Sequence, residues 1–280
     1  MNILYNRKFL RHNIDSLAEG PYRIEAFTSH VQEVDRNGEQ YIPLVHSESY
    51  LSMVREACMH NQVLAEVFLS PESYQAAISA VGLAVMAAEG SDFAVVRPPG
   101  HHAKAERADG FCLFNNMAIA AQKLVNEGNK VFILDIDGHH GDGTQEIFYR
   151  SDRVLFCSIH QGYAYPGTGG EHETGAAEGQ GYTMNFPLPA GSGDRELLKA
   201  VDAAIERARE FQADVVGVSA GFDGYKEDRL LELNYTLDGY YRCGKKLSQS
   251  FDRIFALLEG GYHFDILPCT EHFIRGVNNE

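Results

Sequence analysis

Two histidine pairs and a short run of alternating acids are the residues here whose types and spacing could do chemistry. His101 and His102 follow an apolar run in VVRPPGHH, and His139 and His140 follow another in VFILDIDGHHGDG. In an extended segment alternate residues point the same way. Asp135, Asp137 and His139 would then share one side while Ile136 enters the core. Two carboxylates crowded at a buried strand end repel each other, and burial pushes their pKa values up. A divalent cation resolves both problems. Zinc accepts carboxylate oxygen and imidazole nitrogen at about 2.0–2.2 Å, and a catalytic zinc keeps three protein ligands and one open position. The segment offers up to three ligands, and Asp223 in SAGFDG offers another.

If Asp137, His139 and Asp223 hold the metal, His101 and His102 are left without ligand duty. Water activated by a metal needs a base, and a leaving amine needs an acid. Two neighbouring imidazoles, each backed by a carboxylate such as Asp135 or Asp142, could serve both needs. Tyr262 follows Gly260 and Gly261 on a turn that could bring its phenol against a substrate carbonyl. A donor aimed at a developing oxyanion is worth about 3–4 kcal/mol. The reaction class this assembles is metal-assisted hydrolysis of an amide. Each motif alone has a bland reading, since single histidines are mostly surface or satisfied core residues. Their joint occurrence at strand ends is what argues for a site.

Short apolar runs at 2–5, 93–96, 131–136, 154–159, 215–220 and 254–259 read as buried strands. Helical patterns lie between them. Residues 71–90 follow a Ser70 cap with Pro71 at the first turn and Gly90 as a stop. Residues 193–212 carry an apolar face after an Asp194 cap, and 116–128 and 237–250 read as two more helices. Continuous apolar strands alternating with helices imply an α/β fold: a mostly parallel central sheet with helices on both faces. No linker or repeat divides the chain, so residues 1–280 read as a single domain. Five of the strands lead at once into polar residues. Parallel strands put those ends on one rim, where open α/β sheets bind ligands. His101, His102, Asp135, Asp137, His139, Asp223 and Tyr262 are therefore expected to converge. The Gly-rich stretch 165–181 reads as a long surface loop that shapes a pocket.

Composition narrows the field. The 280 residues are 44% hydrophobic and 22% charged, ordinary globular values, with a formal net charge of −15. That charge argues against sequence-independent nucleic-acid binding, which needs a basic face. The five cysteines are scattered without a C-x-x-C pair, which speaks against a disulfide scaffold or a thiolate zinc knuckle. No apolar run approaches a membrane span and no secretory signal is visible, so a cytoplasmic setting is the expectation.

RPPGHHA, GFCLFNN, DIDGHHGDGTQEIFY, YPGTG, SAGFD and LEGGY, in this order over residues 93–262, resemble the histone deacetylase superfamily. That superfamily includes acetylpolyamine amidohydrolases and acetoin-utilisation proteins, and the RPPGHH and AGFD patterns resemble its class II-like branch. The resemblance implies an arginase/deacetylase fold and a zinc-dependent deacetylase acting on acetyl-lysine or an acetylpolyamine, with iron(II) an alternative to zinc. It assigns Asp137, His139 and Asp223 to the metal, and His101 and His102 to catalysis with Asp135 and Asp142 behind them. Tyr262 becomes the carbonyl polariser. Gly110, Phe111 and Tyr165 would line a narrow substrate tunnel. Asp135, Asp137, His139 and Ser158 would hold a structural potassium ion, which makes Asp135 a support rather than a zinc ligand. Direct nucleic-acid and membrane partners are not expected; a homo-oligomer is compatible with the sequence. Three departures stand out. Gly138 replaces a bulkier residue, which would loosen the strand end. GYKEDRLLELN lacks the usual Asp-Pro. The N-terminal RHNIDSLAEGPYRIEAF resembles its counterpart only loosely. Two other readings stay open: an arginase-like hydrolase with two manganese ions, and a catalytically silent acyl-lysine or small-molecule binder.

Overall fold

The structure is a computed structural model that describes every residue except Ile14, His30, Gln32 and Asp265. Seven strands form one sheet: β1 (Ile3–Leu4), β4 (Phe93–Ala94), β5 (Val131–Asp135), β6 (Val154–Gln161), β7 (Thr183–Leu188), β8 (Val215–Ala220) and β9 (Ile254–Leu258). Their order across the sheet is β1, β4, β9, β8, β5, β6, β7, and every neighbouring pair is parallel. A separate antiparallel hairpin joins β2 (Val63–Leu64) to β3 (Val67–Phe68).

The helices are α1 (Glu48–Met59), α2 (Pro71–Gly90), α3 (Asn116–Asn126), α4 (Asp142–Phe148), α5 (Asp194–Phe211), α6 (Leu237–Ser248) and α7 (Ile266–Asn278). Ser70 caps α2 as expected, its hydroxyl accepting the Ser73 N–H. The stop differs, because Gly90 stays helical and Ser91 takes the left-handed position. In α5 the cap is Gly193, not Asp194. The Asp194 carboxylate instead accepts the backbone N–H of Thr236 at 2.8 Å and its hydroxyl at 2.6 Å, which ties α5 to the start of α6.

The six strands read from apolar runs are present. The missed one, β7, lies at the sheet edge, where its side chains are only partly covered and Pro187 interrupts the donors. All five residues of β5 are buried, as are all six of β8 and all five of β9, which is why these strands carry no polar alternation. Pairing is in register at the ends: Asp135 of β5 faces Ser158 of β6 on one side and Ser219 of β8 on the other. Among the described residues no helix is long and apolar enough to cross a membrane.

Candidate active site

The site is built on the ends of β5, β8 and β9. The strand stops at Asp135, and the chain bends through 137–139 instead of staying extended. The Asp137 N–H donates to Asp135 Oδ1 at 3.1 Å, and the His139 N–H donates to Asp137 Oδ1 at 2.8 Å. This bend, rather than strand alternation, brings His139 to the carboxylates. Two further backbone donors fix the acids: Gly138 N–H on Asp223 Oδ1 at 2.6 Å and Gly260 N–H on Asp137 Oδ2 at 2.7 Å. His139 Nδ1 lies 2.7 Å from Asp223 Oδ2 and 3.3 Å from Asp137 Oδ1. One ligand atom from each of Asp137, His139 and Asp223 lies within 4.8 Å of the others. Asp135 is not in that group, because its Oδ2 is engaged by His101 Nδ1 at 3.0 Å.

Gly138 does not loosen the strand end. A Cβ there would meet Leu231 Cδ1 at 2.3 Å, so a leucine from the segment after Asp223 fills the space a larger residue would take. Two of the departures from the family pattern thus answer each other.

Electrostatics match a cation-binding floor. Burial opposes ionisation of Asp137, but the His101 and His139 imidazoles outweigh it and hold its carboxyl below the usual range. Burial and the Asp137 charge push Asp223 up to about 6. Burial resists a charge on His139, yet Asp223 and Asp137 raise it to about 10. Two buried acids therefore compete for one positive group.

The tandem histidines stand beside this cluster with ring centroids 4.0 Å apart. His102 Nδ1 is 2.8 Å from Asp142 Oδ1, so each histidine has its own carboxylate. Their environments diverge. Burial disfavours the charged form of both, but Asp137 and Asp135 raise His101 well above its ordinary value. Burial and the neighbouring His101 charge push His102 down to about 4. Asp142 opens α4, whose Thr144 N–H donates to the His101 carbonyl at 3.1 Å.

Tyr262 is positioned from both flanks. Its N–H donates to Asp228 Oδ2 at 2.6 Å, and its carbonyl accepts the Tyr22 hydroxyl at 3.1 Å. Burial pushes its phenol well above the usual value, which keeps it a protonated donor. It lines a cavity of about 200 Å³ with His102, His139, Gly110, Phe111 and Tyr165. Gly110 and Phe111 sit at φ +48° and +67°. A Cβ on Gly110 would lie 2.5 Å from His102 Cδ2, so only glycine fits against the imidazole there. The Tyr165 ring approaches His102 edge-on at 5.1 Å, and its hydroxyl donates to Asp109 Oδ1 at 2.7 Å. Ser158 lies beside Asp135 in register, with its Oγ 2.9 Å from His160 Nδ1. Cys112 is buried beneath the wall, its thiol donating to the Gly110 carbonyl.

Several participants were not singled out from sequence. Glu66 and Leu230 complete the cavity lining. Buried Glu259 accepts the N–H groups of Gly100 at 2.7 Å and His101 at 3.1 Å, and burial pushes it up to about 7. Arg23 donates to the carbonyls of Gly261 and Glu259 and to Glu19, with its guanidinium 4.9 Å from the Tyr262 ring centroid. Arg97 shares Glu19 from the other side at 2.7 Å. One signal was available: an arginine directly after a buried apolar run must find a partner, because an unpaired buried charge is costly.

A family model described as histone deacetylase domain matches residues 8–276. A probable deacetylase of Archaeoglobus fulgidus is 39% identical over 81% of this chain and 67% of its own length. An acetylpolyamine amidohydrolase of Burkholderia pseudomallei is 41% identical over 73% of this chain and 61% of its own. Histone deacetylase 5 of Arabidopsis thaliana is 40% identical over 81% of this chain, which spans only 39% of that relative. Among solved structures, the HDA15 HD domain superposes with a TM-score of 0.92 at 31% identity, over 100% of this chain and 88% of that one. The Burkholderia pseudomallei acetylpolyamine aminohydrolase does so with 0.87 at 28% identity, over 99% and 98%. The expected α/β deacetylase fold is the one observed.

Proposed function

Because the chain belongs to the histone deacetylase domain family, we propose that it hydrolyses the amide of an acetylated amine, acetyl-lysine in a protein or an acetylpolyamine. The observation that carries this reading is the convergence of Asp137, His139 and Asp223 at the floor of a cavity flanked by two histidine–aspartate pairs and Tyr262.

The donor set fits a divalent ion: two buried carboxylates and an imidazole, each already oriented by a neighbour, with ligand atoms close enough to share one centre. Zinc and iron(II) both suit these ligands. When bound, such an ion supplies Lewis acidity toward the acetyl carbonyl and toward water. Among the described residues one group of metal-ligating side chains converges, which favours a single-ion site over a two-manganese one.

The chain's own groups perform the proton work. Asp142 engages His102 Nδ1, which leaves Nε2 to serve the cavity. As water oxygen bonds to the carbonyl carbon, Nε2 takes its proton; as the C–N bond breaks, the same proton passes to the departing nitrogen. Acetate and a free amine result. His101, held by Asp135, carries positive charge beside the reacting atoms. The Tyr262 hydroxyl donates to the carbonyl oxygen as negative charge develops there. Phe111 and Tyr165 enclose the alkyl chain, and Gly110 keeps the passage narrow. The same reading assigns a structural potassium ion to Asp135, Asp137, His139 and Ser158, supported by the pairing of Asp135 with Ser158. It treats residues 1–280 as one catalytic domain, supported by a sheet that draws strands from Ile3 to Leu258.

The test is turnover of zinc-loaded protein on an acetyl-lysine peptide and on acetylated polyamines, side by side. Acetate release from at least one substrate, abolished by chelator and restored by zinc, is expected. Full activity in metal-free protein would overturn the mechanism.

A further inference from the structure

Lys104 lies two residues after His102 and has no part in the chemistry described so far. Its ammonium is 2.7 Å from Asp142 Oδ2, the oxygen that His102 does not use. It also lies 3.7 Å from Asp109 Oδ2, and the other oxygen of Asp109 accepts the Tyr165 hydroxyl. The Tyr165 ring then returns to His102 at 5.1 Å. His102, Asp142, Lys104, Asp109 and Tyr165 thus form a closed ring of contacts from the floor of the cavity to its wall. A short turn aims the lysine: Lys104 N–H donates to the Arg107 carbonyl at 2.9 Å, and Ala103 N–H to the Gly100 carbonyl at 3.0 Å. The Lys104 side chain is 14% exposed and that of Asp142 8%, so this pair is far less screened than a surface ion pair.

We propose that Lys104 is a positioning residue for the deacetylation reaction, fixing the Asp142 carboxylate so that its other oxygen aims His102, and tying that pair to the tunnel wall through Asp109. A carboxylate held only by His102 can rotate about its Cβ–Cγ bond and let the imidazole swing; a cation on the second oxygen removes that freedom. A misplacement of about 1 Å at a reacting group costs on the order of 100-fold in rate. This inference rests on the deacetylase reading above.

The experiment uses the zinc-loaded full chain and whichever acetylated amine the wild type turns over. K104M and K104Q should lower kcat about 10- to 100-fold with KM changed less than about three-fold. K104R, whose guanidinium can still span two carboxylates, should recover most of the loss. Because Lys104 acts through Asp142, adding K104M to D142N should cost less than two-fold beyond D142N alone. Thermal melts and metal content guard against a folding defect, and K104Q keeps a hydrogen-bonding group should K104M prove unstable. An unchanged kcat in K104M and K104Q, or a full additive loss in the D142N background, overturns the inference while leaving the deacetylase reading intact. A zinc-loaded wild type that turns over no acetylated amine overturns both.

Discussion

The floor and the mouth of the cavity are built on opposite principles. On the floor, Asp135, Asp137 and Asp223 are fully or nearly fully buried, and each has an oxygen held by a backbone N–H. At the mouth, Tyr165 is 43% exposed and Leu230 51%, and both stand on loops rather than strand ends. The floor's geometry is thus dictated by main-chain donors in the short bends directly past β5 and β9, whereas the mouth stands on loops further from the strands. The division teaches where reaction type and where selectivity should reside: the first in residues whose loss destroys turnover, the second in residues whose loss shifts affinity. Lys104 is one of the places where the two regions touch, alongside the direct approach of the Tyr165 ring to His102.

The sharpest way to break that division is to damage the floor without unfolding it. D223N keeps an oxygen able to accept the Gly138 N–H but removes a charge from the metal group. Metal content and turnover should fall together, activity to below about 1% of wild type, because both ligand affinity and charge stabilisation are lost. Retention of a tenth of the activity at wild-type zinc loading would contradict the ligand assignment. Y262F comes next. It removes one donor from the developing oxyanion, so kcat should fall about 100- to 1000-fold, with metal content unchanged and KM little altered. Unchanged turnover would remove Tyr262 from the chemistry.

A third test concerns the layer that props the wall. Buried His46 places Nδ1 2.9 Å from the Ala105 carbonyl, while its Nε2 accepts the Asn115 N–H at 3.0 Å. That pattern requires a neutral ring, and burial pushes its pKa down to about 4. The unfolded chain binds this proton near pH 6.5, the folded chain only near 4. Between those values the unfolded state holds more protons, so stability falls as pH drops through 6.5 and levels off below 4. The loss attributable to His46 should reach about 2 kcal/mol at pH 5. Urea melts of wild type and H46N between pH 7.5 and 5 would measure it, the variant showing a shallower slope. Equal slopes would mean that the ring titrates normally in the folded protein.

Legibility in the sequence divides along the same line. The strands that carry the floor are buried on both faces, so their apolar runs announce them, and the polar residues immediately after them could be read as a rim. The partition among the acids was not readable from spacing. Extended alternation puts Asp135, Asp137 and His139 on one side, but the strand ends at Asp135, and only the bend over 137–139 separates the acid that serves His101 from those that meet His139. Glu19, Arg23 and Arg97 stayed hidden for a different reason. The Glu19–Arg23 pair is a local i,i+4 contact that an exposed helix face could equally carry, whereas the contacts that bury it span 78 residues to Arg97 and 238 from Arg23 to Gly261, and no local pattern encodes such distances. The cavity mouth was legible only in part. Phe111 and Tyr165 belong to motif segments, whereas Glu66 sits in the β2–β3 turn at φ +66°, a conformation no sequence rule assigns to glutamate.

The smallest expected effect tests the mouth. Leu230 contributes an exposed side chain to the cavity lining, and its backbone N–H donates to Asp228 Oδ1 at 3.0 Å. A ligand that covers about half of a leucine side chain gains roughly 1 kcal/mol from it. L230A should therefore raise KM about three- to five-fold for a substrate that fills the cavity, and leave kcat within two-fold. The same change should leave the KM of a short acetylated amine nearly unaltered, because such a molecule reaches the floor without touching Leu230. Steady-state kinetics on a long and a short substrate separate these outcomes. A ten-fold fall in kcat for both would mean that the loop after Asp223 holds the floor in place as well, through Leu231 against Gly138, and the division between reaction type and selectivity would have to be drawn further from the strand ends.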